Sequence, residues 1–182
     1  SHYFPSHYRL LMFPAEGNLR DVMRVLISHG ADVKYEYTYI YPEGESSADS
    51  SDEEDCTWRA LDMALYKKKA EAARLLLDNG AEISRLNSEA WARILPDSRL
   101  LRIVLAAGAD FTALCVNDMT PEAYARASIA AVRSYNSNRA ALYEESVSIL
   151  VDVRLAGSYK QYVLRDFKYL LRIRSLLARG RA

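Results

Sequence analysis

One phrase occurs three times in this chain and constrains its fold more than any other feature. Each copy is an apolar helical stripe that ends on glycine, alanine and an acid, followed by a β-branched or large apolar residue. Glycine adopts the left-handed conformation that closes a helix without the steric cost of a Cβ. The pattern therefore predicts helix ends, and its repetition indicates a repeat architecture. The three glycines are Gly30, Gly80 and Gly108.

The phrases resemble the end of the second helix of the ankyrin repeat, a unit of about 33 residues. That repeat opens on Thr-Pro-Leu-His-x-Ala, and the segment Thr120–Ala125 matches it at Thr, Pro and the last Ala. Threonine is a good N-cap, and proline is tolerated at the first helical position because no partner is needed for its missing N–H. The segment Arg59–Ala64 matches more loosely, keeping the Leu and the Ala.

The resemblance implies an all-α fold in one domain, 1–182: an ankyrin-repeat solenoid of about four helix-turn-helix units with a C-terminal capping helix. Gly30 and Gly80 are 50 residues apart, which leaves room for an insertion beyond one unit of about 33. The fourth unit is long, with helices expected over 121–133 and 139–153. The expected units span about 8–33, 57–84, 87–111 and 119–157, with an insertion at 34–56 and a terminal helix at 159–180.

Tyrosine recurs at every second position where the insertion begins. This spacing is typical of a β-strand with its rings on one face, so it predicts the first strand of an extended hairpin. The rings could pack on the neighbouring repeat, which we favour for Tyr35 and Tyr37, or contact a partner, which we favour for Tyr39 and Tyr41. Tyrosine and tryptophan are enriched in interfaces. The partner-binding candidates here are Tyr37, Tyr39, Tyr41 and Trp58.

The insertion continues into an acidic run, 43–55, which holds seven acids and no base. Most such runs are solvated, and this composition predicts an exposed loop without order of its own. Ser50 and Ser51 each have a glutamate three residues on, a spacing that acid-directed kinases prefer. The two serines are therefore phosphorylation candidates, where a phosphate would add negative charge to the loop.

The other end of the chain is basic, with eight bases and one acid from Val153 onward. The apolar periodicity there predicts an amphipathic helix. We favour a structural role, since a repeat array needs an end that covers its last apolar face. The alternative is an acidic partner, calmodulin or RNA, with Arg172 and Arg179 as candidate contacts.

The sequence does not place catalytic or metal-ligating residue types at the spacings that an enzyme site or a metal site needs. His2 and His7 have no neighbouring ligand types, and His29 precedes a helix-ending glycine. Cys56 follows an acidic run, which raises a thiol pKa and makes a poor nucleophile. Neither a phosphate-binding glycine loop nor a nucleophile with a base is present. We therefore expect no catalysis, no cofactor and no metal.

The sequence thus favours a non-catalytic protein–protein interaction module, an adaptor or structural subunit of a larger assembly. It would bind through hairpin tips and the concave face of a solenoid. The alternative is a protein associated with RNA or a ribonucleoprotein, anchored by its basic helix. No apolar run approaches the length of about 18 residues that spans a membrane. Two cysteines suit a reducing compartment, so we expect an intracellular protein, cytoplasmic or nuclear.

Overall fold

The computed structural model describes residues 9–39, 56–83, 86, 88–114 and 118–179. These residues form nine helices and one two-stranded sheet, which confirms the all-α class. They divide into two compact units, Ser1–Glu82 and Ile83–Ala182. Several predicted features lie outside the described residues: His2, His7, Tyr41 and the acidic run with Ser50 and Ser51.

The first unit consists of two helix pairs and a β-ribbon between them. The first helices of the two pairs, α1 and α3, pack on each other, and so do the second helices, α2 and α4. The buried contacts are made by alanines, leucines and Met23, and small alanine side chains let the helices approach closely. The elements are α1 (Arg9–Gly17), α2 (Arg20–Ser28), β1 (Glu36–Tyr39), β2 (Cys56–Arg59), α3 (Ala60–Tyr66) and α4 (Ala70–Asp78).

Polar contacts also join the two helix pairs of the first unit. Asn18, in the turn between α1 and α2, accepts a hydrogen bond through Oδ1 from the backbone N–H of Ala72 in α4 at 3.2 Å. Arg20 pairs with Glu71 across α2 and α4 at 3.1 Å, and Lys67 pairs with Glu16 at 2.7 Å. Such exposed ion pairs contribute little stability, so the apolar contacts carry the packing.

The second unit is built around the longest helix of its core, α8. The helix α7 forms an antiparallel hairpin with α8, while α6 and α9 pack against other parts of α8. Trp91, Leu100, Tyr143 and Leu150 are among its buried side chains. The elements are α5 (Ser88–Ile94), α6 (Ser98–Ala106), α7 (Pro121–Val132), α8 (Ser137–Ala156) and α9 (Tyr159–Ala178).

The three repeated phrases end their helices in the same way, as the sequence predicts. Gly30, Gly80 and Gly108 have φ of 87°, 89° and 89°. In each case the glycine N–H bonds the carbonyl three residues earlier, at 3.0 to 3.1 Å, and the next alanine N–H bonds the carbonyl five residues earlier, at 3.0 Å. This is the Schellman pattern of helix termination. The prediction of three helix ends is confirmed.

The predicted helix start at Thr120 is also observed. Thr120 is the N-cap of α7 and accepts from the N–H of Ala123, with Pro121 at the first helical position. The α7–α8 hairpin is interrupted near the predicted place, since α7 ends at Val132 and α8 starts at Ser137 with Asn136 as N-cap. Gly157, with φ of 81°, ends α8.

Candidate protein-interaction surfaces

The β-ribbon emerges from the first unit where the sequence predicts a hairpin. Strands β1 and β2 are antiparallel, with Tyr37 opposite Trp58 and Tyr39 opposite Cys56. Directly opposed residues lie on one face of a ribbon, and so do residues two apart. Tyr37, Tyr39 and Trp58 therefore belong to one face.

The base of the ribbon is fixed to α3 by an aromatic contact. The ring of Trp58 meets that of Tyr66 nearly at a right angle, at 89°, with centroids 5.5 Å apart. Edge-to-face geometry of this kind is favourable because the positive ring edge meets the negative face. Trp58 is half-buried, so at the base the aromatic face has a packing role.

Arg59 connects the ribbon to two other elements. Its Nε donates to Asp62 at 2.9 Å, and the backbone N–H of Arg59 donates to the same carboxylate at 3.0 Å, which caps the start of α3. Its Nη1 donates to the backbone carbonyl of Glu82 at 3.2 Å, in the segment after α4. The direction of the ribbon is thus set by contacts with α3 and with the segment after α4.

A second contact reaches the same segment from the start of the insertion. The Lys34 ammonium donates to the Glu82 carboxylate, and this hydrogen bond lowers the pKa of the Glu82 carboxyl and raises that of Lys34. Glu82 is the acid of the second repeated phrase. In the other two phrases the aspartates, Asp32 and Asp110, instead accept from a backbone N–H two residues on, at 2.8 Å.

These turns explain why the repeated phrase ends on an acid. An aspartate can bond the backbone two residues later and start a turn after the helix. At Asp110 the hydrogen bonds from Thr112 lower the pKa of the carboxyl below its ordinary value. The acids therefore shape the segments that leave each helix pair.

An apolar cleft of about 240 Å³ lies beside the ribbon in the first unit. Its lining includes Leu10 and Met12 of α1, Ala31, Ala60 and the ring of Tyr35. Tyr35 is 41 % exposed, so it borders this cleft without being buried in the core. The packing of Tyr35 on a neighbouring repeat, which we favour from the sequence, stays a prediction.

The terminal helix differs from the structural role that we favour from the sequence. Its first turns contact α6, because Arg102 of α6 donates to the Tyr162 hydroxyl at 3.4 Å. Further along, Phe167, Leu170 and Leu177 are 57 %, 61 % and 60 % exposed. A capping helix would bury these side chains against α8. Within the described part of the chain, the large apolar side chains of α9 from Phe167 onward are exposed, so the capping interpretation is wrong for that part of the helix.

The candidate residues belong to different elements. Tyr37, Tyr39 and Trp58 lie on the ribbon of the first unit, whereas Arg172 and Arg179 lie on exposed turns of α9 in the second. Sequence reasoning missed Arg59 and Glu82, which orient the ribbon. The spacing of Arg59 and Asp62, three residues apart at a helix start, is the signal that could have found the first of these.

The described residues contain no group of three or more His, Cys, Asp or Glu that could hold a metal ion. The Nδ1 atom of His29 lies 2.8 Å from the carbonyl oxygen of Val25, four residues earlier. At the same position of the second repeated phrase, the side-chain amide of Asn79 donates to the Leu75 carbonyl. No helix among the described residues is long and apolar enough to cross a membrane.

No family model matches this chain, and no curated protein matches it either. The proposals that follow therefore depend on the contacts, exposure and charge described above.

Proposed function

We propose that this chain is a non-catalytic protein-interaction module with an ankyrin-type arrangement of helix pairs. It would serve as an adaptor or as a fixed subunit of a larger, intracellular assembly. The packing of α1 on α3 and α2 on α4 supports this arrangement, as do the three matching helix ends. Stacked helix pairs of this kind present extended surfaces to partners.

The observation that carries the proposal is the ribbon. It leaves the first unit between two helix pairs, and it is oriented at its base by the contacts of Trp58 and Arg59. Its tyrosines belong to the same face as Trp58. Rigid aromatic side chains give large contact areas at low entropic cost, and they often dominate binding energy. The natural partner is proposed to contact Tyr39 and Tyr41.

The test compares the full chain with two variants in a quantitative capture of proteins from its source cells. Tyr39→Ala with Tyr41→Ala removes the outer rings, and Tyr135→Ala removes a ring that is 72 % exposed in the α7–α8 turn. We expect at least one protein to be captured by the wild type and the control but lost by the double variant. Titration of that protein should show weakening by about 2 kcal/mol or more, roughly thirtyfold in Kd.

The proposal fails if the double variant captures the same proteins as the control, with circular dichroism showing both variants folded. A second candidate function is RNA association through α9. One observation favours it, the exposed row of bases that α9 carries. Binding of mixed RNA that weakens steeply with salt, at a slope of about −0.7 per phosphate contact, would support that candidate.

A further inference from the structure

The part of α9 from Val163 to Leu177 forms an amphipathic helical segment. Its large apolar side chains are exposed over four turns, and the described residues offer no element that covers them. Apolar surface of this extent on a single helix usually marks a docking site. The exposed residues are Val163, Phe167, Tyr169, Leu170, Leu171, Ile173, Leu176 and Leu177.

These residues and the bases of α9 divide the helix unequally. At 100° per residue, the apolar positions cover roughly 220° of the circumference. Four of the bases form a narrow row of roughly 60° on the opposite side. We call the first set the apolar arc and the second the basic row, which consists of Arg165, Lys168, Arg172 and Arg179.

Charge and shape together distinguish between the possible binding partners of α9. A nucleic acid would pair its phosphates with the basic row but would leave the apolar arc in water. A bilayer surface is flat, whereas the arc extends over more than half of the helix. Arg174 also lies inside the arc, between the directions of Val163 and Phe167, where hydrocarbon would disfavour its charge. A protein groove can enclose a wide arc and can place an acid beside Arg174.

The charge of α9 indicates which charge the partner groove should carry. The segment from 159 to 179 contains six bases and one acid, Asp166. Complementary charge speeds encounter and selects against wrong partners. A groove that fits must therefore be apolar inside and acidic at its rim. Grooves of calcium-opened EF-hand proteins combine these properties, and they take amphipathic helices by their apolar anchors.

We propose that α9, from Val163 to Leu177, docks as a helix into the apolar, acid-rimmed groove of a partner protein of the calcium-opened EF-hand kind. Phe167 and Leu170 are the central anchors, and the basic row faces the acidic rim. This surface is separate from the ribbon of the first unit, so the proposal does not depend on the proposed function.

The test uses the full chain with calcium-loaded calmodulin as the probe, because its flexible, methionine-rich grooves accept many helix sequences. Binding is measured by calorimetry near physiological salt, with calcium and then with a chelator. Phe167→Ala with Leu170→Ala removes the anchors. Leu142→Ala with Leu155→Ala is the matched control, since those leucines are 44 % and 75 % exposed on α8.

We expect micromolar or tighter binding that requires calcium, weakened about thirtyfold by the anchor variant and less than about twofold by the control. Circular dichroism and thermal melting should show both variants folded, because the substituted side chains are exposed. Three results would overturn the proposal: no binding with calcium, binding that the anchor variant retains, or tighter binding to anionic phosphatidylserine vesicles or mixed RNA than to calmodulin. The last result would assign α9 to a membrane surface or to RNA.

Discussion

Single residues in the left-handed conformation close several helices of this protein. Gly30, Gly80 and Gly108 do so at the repeated phrases, and Asn18 and Lys68, with φ of 57° and 55°, close α1 and α3. A glycine in this conformation can be predicted from the sequence, because other residues adopt positive φ only at an energetic cost. The left-handed conformation of Lys68 cannot be predicted in this way, since the tight turn between α3 and α4 imposes it.

At this scale the clearest prediction concerns Gly80. Gly80→Val should lower the free energy of unfolding by about 1–3 kcal/mol, the usual cost of a strained backbone conformation. A Cβ at this position would meet no atom within 4 Å, so the cost comes from the backbone and not from a clash. The measurement is urea unfolding followed by circular dichroism.

Gly80→Asn is the matched control for this prediction, because asparagine tolerates positive φ better than a β-branched residue. We expect it to cost clearly less than valine. Equal costs for the two variants would show that the left-handed conformation at Gly80 does not limit stability.

Local hydrogen bonds set where the elements begin, and several of them are visible in the sequence. Asp97, Thr120, Asn136 and Ser158 are N-caps whose side chains accept from the N–H three residues on. These residue types are the preferred caps, so helix starts can be predicted from them. The β-ribbon depends instead on long-range partners, since Arg59 reaches Glu82 and Trp58 reaches Tyr66.

The element-scale prediction is that the acidic run is dispensable for folding. Deleting residues 45–54 should change the thermal midpoint by less than about 4 °C, because loop-closure entropy varies slowly with length. The pairing of Tyr39 with Cys56 holds the ends of the insertion together in either case. Differential scanning calorimetry measures the midpoint.

Trp58→Ala is the comparison for the deletion. It removes the edge-to-face contact with Tyr66 and should lower the midpoint further than the deletion does. If the deletion unfolds the protein while Trp58→Ala leaves the midpoint unchanged, the acidic run is packed and the composition argument is wrong.

Across the whole molecule, a formal net charge of zero conceals two charged regions of opposite sign. The acidic run belongs to the insertion of the first unit, and the basic row belongs to α9 of the second. The two regions could serve different partners, and charge mainly sets the rate at which such partners associate.

At the scale of the molecule we therefore predict a kinetic effect. Arg172→Ala with Arg179→Ala should slow association with calcium-loaded calmodulin about threefold or more at low salt, with little change in dissociation. The difference should shrink as salt rises, because exposed charges are screened. Stopped-flow fluorescence over a range of salt concentrations measures both rates.

The control for the kinetic effect removes two bases elsewhere, Arg74→Ala with Arg139→Ala, both on exposed positions. It alters the net charge equally but lies outside α9. Equal slowing by both variants would mean that net charge, and not the position of the basic row, determines the rate.

The sequence by itself determined what depends on neighbours along the chain. Gly-Ala-acid phrases specified three helix ends, and Thr120–Pro121 specified the start of α7, because backbone conformation and capping are local. Tyrosine alternation indicated β1 for the same reason. Tertiary structure decided the rest. The direction of the ribbon depends on Arg59 meeting Glu82, 23 positions away. The exposure of α9 depends on which elements reach it, since an amphipathic pattern shows which face is apolar but not whether the chain covers it.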